Sequence, residues 1–337
     1  MMEVVPLDPS DPGMLEQWYA AYVAADRFGR EQTAVPWTST DVAVLLTEPS
    51  REARQQACAG LVDGRVVATG WLYLPLLDNR WRADLEVHVV PGARRRGHGS
   101  AMLAHLEALV RAEGRTMLLA EVAWPYADGP GASGAGPEFA RARGFELALG
   151  DVQRQLALPV QDAVLDRSAA EAAPRHAGYT LRSWIGPVPD ELLVEWAELD
   201  ASLGTEAPTG DLDIEPQTAD TSAVRENERL RDLQRRVSVH TVALRPDGRL
   251  AAYTEIVVPE LEPGRAYQWG TLVRGEDRGH RLGVAVKVAN LRLLQDSRPD
   301  VSQLVTFNAE SNEHMVAVND ALGFVPTERL GEFQKRL

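Results

Sequence analysis

The sequence predicts an α/β protein in which one kind of unit, a mixed, mostly antiparallel sheet flanked by helices, is built twice. Three observations predict it. First, "VHVVPGARRRGHGSAMLAHLEAL" from Val87 and "TLVRGEDRGHRLGVAVKVANLRLL" from Thr271 share one plan, 184 residues apart when Arg94 is laid on Arg278. Second, β-branched strand-like runs alternate with helix-period runs along the chain. Third, 337 residues with 45% apolar composition suffice for two cores of ordinary size.

The elements follow in order. "MEVVPL" reads as a strand, and "DPGMLEQWYAAY" after it as a helix. "RVVATGWLYL" follows an Asp63-Gly64 turn, a hairpin signal. A strand over 85–90 reaches Pro91 and a glycine turn. The helix beyond places Met102, Leu103, Leu106, Leu109 and Val110 at helical spacing and stops at Gly114. "RTMLLAEV" is the next strand, "FARARGF" a short helix ending at Phe145, and "DVQRQLAL" the closing strand. The glycine-rich run 127–136 reads as an irregular loop.

The pattern then restarts with "YTLRSW", "PDELLVEWAEL", "RLAAYTEIVV" after Asp247-Gly248, "SQLVTF", "NDALGF" and "GEFQKRL". Each unit therefore reads β-α-α-β-β-β-α-β-α-β. The expected domains are 1–159 and 179–337. Residues 160–178, poor in periodicity, are read as a linker with at most a helical turn. The turn-rich segment 203–222 is too long for a plain connection and is read as a mobile lid or substrate loop.

Net charge is −14 with a pI near 5.0, which argues against nucleic acid or an anionic membrane as partner. The lone Cys58 allows no internal disulfide and reads as a small buried hydrophobe. Seven scattered histidines give no metal-ligand spacing, so no metal is expected. The acidic start is unlike a signal peptide, and no apolar run is long enough to span a bilayer. A cytoplasmic protein, monomer or homodimer, is expected.

Against this acidic background, "ARRRGHGSAM" (93–102) sets Arg94, Arg95 and Arg96 before Gly97-His98-Gly99-Ser100 at a helix start. Free backbone N–H groups, the positive end of the helix dipole and local arginines together make an anion site. No G-x-x-x-x-G-K-[ST] is present. A dinucleotide fingerprint begins at Gly97 but has Met102 at its third small position. Glu121 stands where a ribose-binding acid could sit, so a dinucleotide-binding protein remains an alternative.

Arg94-x-x-Gly97-x-Gly99 resembles the [Q/R]-x-x-G-x-[G/A] acetyl-CoA signature of the GNAT superfamily of N-acetyltransferases. "VHVVP" is similar to that family's fourth strand, and residues 306–324 to its fifth strand, fourth helix and closing G-F. The resemblance covers nearly the whole chain as two tandem domains. It implies two GNAT-like domains and acetyl-CoA as cosubstrate. Backbone amides of Arg95, Arg96, Gly97, His98, Gly99 and Ser100 would hold the pyrophosphate beside Arg94, and strand backbone at Val87 and Val89 would hold the pantetheine arm. In the second unit the corresponding residues are Val273, Arg278, Gly279, His280 and Gly283, with Asn308 and Asn312 after the next strand.

There are departures. Arg281 replaces the first signature glycine of the second unit, where its side chain could crowd or pair with the pyrophosphate. Ala140 and Asn319 stand where many members carry the tyrosine that protonates the leaving thiolate.

Amine acetylation needs a base, because an alkylammonium with a pKa near ~10 must lose a proton. Asp84, Glu86 and His88 alternate with apolar neighbours, so they share one strand face. Glu86 is the first candidate base and His88 the second. Glu255, the one acid in "AAYTEIVVP", is the candidate in the second unit. The expected function is acetyl-CoA-dependent N-acetylation of a primary amine on a small molecule. The acidic balance leans toward a cationic acceptor such as a polyamine or aminosugar. The alternative from another class is a non-catalytic coenzyme or small-ligand binding protein that keeps the fold.

Overall fold

The computed structural model describes residues 2–130 and 134–337. The first repeat runs β1 (Glu3–Pro6), α1 (Pro12–Arg27), α2 (Ser39–Thr47), β2 (Ala53–Val62), β3 (Arg65–Pro75), β4 (Arg82–Val89), α3 (His98–Ala112), β5 (Met117–Pro125), α4 (Ala135–Ala142) and β6 (Glu146–Ala157). After α5 (Asp162–Ala172), the second runs β7 (Thr180–Ile185), α6 (Leu193–Ala201), the one-turn α7 (Leu203–Glu206), α8 (Thr221–Leu233), β8 (Arg236–Leu244), β9 (Leu250–Pro259) and β10 (Arg265–Val273). It ends with α9 (Leu282–Ser297), β11 (Gln303–Ala309), α10 (Glu313–Leu322) and β12 (Val325–Arg336). Both halves follow the expected element order, with α7 added to the second. Part of the glycine-rich run 127–136 lies outside the described residues.

Local chemistry accounts for the helices. Asp11 caps α1 by accepting from Gly13 N and Met14 N at 3.0 and 3.1 Å, with Pro12 at the first helical position. Thr38 and Asp41 form a reciprocal capping box on α2. Met102, Leu103, Leu106 and Val110 are the buried stripe of α3 and pack on Leu72, Leu85 and Leu118. Each such side chain contributes about 1.5–3 kcal/mol by leaving water. On the opposite face, α1 packs Trp18 and Tyr22 against Ala57, Ala59 and Trp71.

The strands form one sheet, in the order β1-β2-β3-β4-β5-β12-β6-β11-β10-β9-β8-β7. The last strand of the chain therefore lies between β5 and β6, paired antiparallel to both. β6, in turn, pairs with β11 of the second half. Each repeat completes its sheet with a strand that belongs, by sequence, to the other.

Two parallel pairs interrupt the antiparallel plan. β4 pairs with β5 only from Arg82↔Met117 to Asp84↔Leu119, and β10 with β11 only from Arg265↔Gln303 to Gln268↔Thr306. Beyond those points the strands part, leaving a V open between them.

Two expectations from sequence are corrected. Residues 162–172 are a helix, not an irregular linker: Leu165, Ser168 and Ala172 bury one face, and Leu165 and Ala172 join the core around α9. The segment read as a mobile lid is a docked strap. Glu215 and Asn79 bond reciprocally, Thr218 N and Oγ1 donate to Asp78 at 2.7 Å, and Arg336 reaches Asp213 at 2.9 Å. Its turn-rich composition describes the backbone; the partners that hold it come from the first half and from β12.

Candidate active site

The loop before α3 is shaped by two left-handed residues, Arg95 (φ 63°) and Gly97 (φ 86°). The loop before α9 has the same shape at Gly279 (φ 85°) and Arg281 (φ 54°), with glycine and arginine exchanged. L-residues pay about 1–2 kcal/mol there, glycine nothing. Arg281 therefore preserves the turn instead of breaking it. Its guanidinium lies 3.8 Å from Glu171 on α5, so the expected crowding is replaced by an outward ion pair.

A Cβ on Gly97 would meet nothing within 4 Å, and one on Gly99 would touch Val89 and Phe139 at 3.4–3.5 Å. The start of α3 is thus an open cradle that fits a diphosphate. Arg95 and Arg96 are exposed beside it, and His98 opens the helix. Arg94 is not free for an anion: its Nε donates to Val89 O and its Nη2 to Ala25 O, both at 3.0 Å, over the Phe28 ring. Arg94 fixes the loop. The Ser100 hydroxyl accepts from Arg143. Val87 and Val89 lie on the part of β4 that has left β5.

In the second half, buried polar groups link α9, α10 and β11 beside the corresponding V. Lys287 of α9, 2% exposed, donates to Asn319 Oδ1 at 2.6 Å. Asn319 donates to Asn308 Oδ1 at 3.1 Å, and Asn308 to Ala309 O at 3.1 Å. Burial pushes the Lys287 ammonium down to about 7. Asn312 caps α10 by accepting from Met315 N. Both asparagines expected on a coenzyme are thus used within the fold. Arg278 pairs with Glu206, His280 bonds Asp277 O at 3.1 Å, and Gly283 approaches Val273.

A cavity of about 590 Å³ opens at the V of β4 and β5. The sheet curls so that Trp269 of β10 and Arg231 of α8 line the same space as Trp71, Leu85, Glu86, Leu119 and Glu121. Trp37, Tyr73, Arg82, Asp84 and Glu332 also line it. A smaller cavity of about 180 Å³ shares Glu52, Tyr73 and Arg82 with it and lies against the strap at Gln217 and Thr218.

Strand register explains the row of acids. Asp84 pairs with Leu119, Glu121 with Glu332, and Leu330 with Asp151, so all four acids and Glu86 share one sheet face. Glu86 bonds His88 Nε2 at 3.0 Å, and the His88 ring meets Tyr22 edge-on at 5.0 Å. Both candidate bases of the first half are therefore together at the V. Glu255 is not in the cavity wall. It is ion-paired to Arg231 and lies 3.7 Å from His240; burial opposes its charge, but Arg231 and His240 outweigh this and hold its carboxyl below the ordinary range. It anchors Arg231, which stacks over Trp269.

Sequence reasoning missed Glu332 and Asp151 and weighed Glu121 only for a ribose. An acid inside the apolar "LLAEVAW" was the available signal for Glu121. Burial, then the charges of Glu332, Glu86 and Asp151, pushes Glu121 up to about 8. Glu121 has open surface, but it faces the cavity rather than bulk water. Burial with Asp151 and Asp84 pushes Glu332 up to about 7, and burial alone pushes Asp151 up to about 6.

These carboxyls bind protons more tightly folded than unfolded. Their contribution is full below the ordinary carboxylate range and is lost as pH rises through about 7 to 8. Tm is expected to fall between pH 5.5 and 8.5, and less steeply in Glu121→Gln/Glu332→Gln. Equal slopes in thermal melts would contradict this.

Residues 16–124 match the model of the acetyltransferase (GNAT) family. A tandem GNAT protein from the clavulanic acid biosynthesis pathway, solved without AcCoA, is 33% identical, covers 100% of this chain and 98% of its own, and superposes with a TM-score of 0.81. A mycothiol acetyltransferase of Salinispora tropica is 27% identical over 261 residues, 76% of this chain and 74% of the relative. A GCN5-related N-acetyltransferase from Sphaerobacter thermophilus, 14% identical with a TM-score of 0.66 over 99% of this chain and 95% of its own, shares the fold.

These matches identify the strand-split sheet, with its glycine turn before α3 and its carboxylate-lined cavity, as that of an acyltransferase. The chain belongs to the GNAT family of acetyltransferases, in tandem form, a family that uses acetyl-CoA. Among the described residues no three His, Cys, Asp or Glu side chains are arranged to hold a metal ion, and no helix is long and apolar enough to cross a membrane.

Proposed function

We propose that the protein transfers an acetyl group from acetyl-CoA to a primary amine of a small molecule, and that the chemistry belongs to the first half. The cavity at the β4–β5 opening, with Glu86 at its edge, carries this reading. In it, the cradle at 95–100 receives the diphosphate on one face of the sheet, and the acceptor waits on the other.

Glu86 takes the proton that the ammonium must lose, with His88 positioned to pass it on. The amine nitrogen attacks the thioester carbonyl, the N–C bond forms and the C–S bond breaks. The second proton shed by nitrogen ends on the coenzyme sulfur. Ala140 cannot supply that proton, so no side chain at the familiar position is assigned to it.

Calorimetric titration with acetyl-CoA tests the reading alongside turnover of an amine panel. One equivalent is expected to bind, because the Lys287–Asn319–Asn308 chain occupies polar groups beside the second V. Gly97→Glu is expected to abolish it, through φ 86° strain and a carboxylate set in the anion cradle. Two equivalents, or binding that survives Gly97→Glu, would assign the coenzyme to the second half. Binding without turnover of any amine would favour a non-catalytic ligand-binding protein.

A further inference from the structure

We infer that the acceptor is a linear diamine or polyamine, and that Glu332, delivered by the exchanged strand β12, selects it by holding its second cationic nitrogen against Glu121. The inference rests on the proposed amine acetylation and names the substrate class of that same cavity.

The geometry is that of a row. Glu86 stands on β4 at the strand opening, and Glu121 on β5 directly faces Glu332 on β12. Neighbouring strands lie about 4.8 Å apart. A nitrogen at Glu86 and a second one between Glu121 and Glu332 are thus separated by about one and a half strand spacings, about 7 Å, plus the opening of the V, the reach of a chain of four or more carbons.

The two acids at the far end of this row lack partners. Among the described residues, Glu121 and Glu332 make no hydrogen bond or ion pair, although both line an inner cavity. One oxygen of Asp151, a strand further on, is buried with no partner. The nearby cations are taken: Arg82 by Asp84, Arg231 by Glu255, and Arg30 by Asp26 and Glu328. Carboxylates crowded this closely raise one another's affinity for positive charge, whether protons or an ammonium. The walls suit the rest of such a molecule, since Trp71, Tyr73, Trp37 and Trp269 offer apolar and π surface to methylenes and ammonium alike.

A dication seated there must displace protons. The charges of Glu86 and Asp84 on β4 and Asp151 on β6 face Glu121 and Glu332 and favour those protons, with Arg82 and Arg30 opposing them. A monoamine held at Glu86 leaves the pair protonated.

The test compares 1,4-diaminobutane with butylamine, in the full-length protein and in Glu332→Gln. Acetyl transfer at saturating acetyl-CoA is measured, and so is calorimetric binding at pH 7 in two buffers of different ionisation enthalpy. The diamine is expected to be preferred in kcat/KM by about 10- to 100-fold, the range of a lost charged hydrogen bond. Its binding is expected to release protons. Glu332→Gln is expected to abolish most of the preference and the proton release by lowering kcat/KM for the diamine far more than for butylamine, with a Tm no lower than wild type because one of the crowded like charges is removed. Equal kcat/KM for the two amines, or a preference that survives Glu332→Gln, overturns the inference but not the acetyltransferase reading. Should no amine be acetylated, the function reading fails. Tight diamine binding that is lost in Glu332→Gln would then still support the dication site, and absence of such binding would overturn it.

Discussion

Glu86→Gln is expected to lower kcat/KM for the amine by about 10²–10⁴-fold, the usual contribution of a positioned general base. Its Kd for acetyl-CoA should remain unchanged, because the coenzyme cradle at 95–100 is on the other sheet face. Glu86 sits where β4 leaves β5, on the face that carries Trp71 and His88 rather than the face that packs on α3. An isosteric amide keeps the fold and removes only the ability to take a proton. The loss should shrink as pH rises toward the amine's own pKa, since free amine then needs no base. A pH-independent loss, or none, in steady-state kinetics would move the base elsewhere in the acid row, with Glu121 next. His88→Gln is expected to cost less, because His88 reaches the acceptor only through Glu86.

Asp41→Ala is expected to cost about 3–5 kcal/mol, the penalty for leaving a buried charge unpaired, and to lower Tm by roughly 10 °C in a chain of this size. Asp41 on α2 is 0% exposed and Arg236 on β8 is 7% exposed. Two parallel bonds of 2.7 and 2.8 Å join them, and the guanidinium also lies over the Trp37 ring at 5.0 Å. This pair clamps the two halves beside the cavity, and Asp41 closes the capping box of α2 as well. Asp41→Ala/Arg236→Met should recover most of the loss, since two apolar groups need no partner. A single variant melting within 2 °C of wild type would show that water reaches the pair.

The residues themselves show which features were legible. The glycine turn before α3, the hairpins at Asp63-Gly64 and Asp247-Gly248, and the alternation that sets Glu86 and His88 on one strand face are all local patterns. Each depends on neighbours only a few residues away, and each is present where the pattern points. Arg281 shows the limit of motif reading. As a departure from the signature it suggests a damaged loop, yet the backbone keeps the left-handed bend by exchanging arginine and glycine between two positions. Glu255 shows another: an acid in an apolar strand reads as functional, but its partner Arg231 lies on a helix that the strand's own sequence cannot reveal.

The sequence by itself determined the repeated α/β plan, the glycine turn before α3 and the pair of groups at the first strand opening, because hydrophobic period, turn chemistry and strand alternation act over a few residues. Only the tertiary structure decided that β12 lies between β5 and β6, that Glu332 faces Glu121, that residues 207–220 are a strap instead of a lid, and that Lys287 links α9 to α10 beside the second opening. Those outcomes turn on pairings between residues more than a hundred positions apart, or on which buried polar group finds a partner. "GEFQKRL" could close either sheet by its own pattern; the register across β5 is set by what it packs against, and that is a property of the assembled chain.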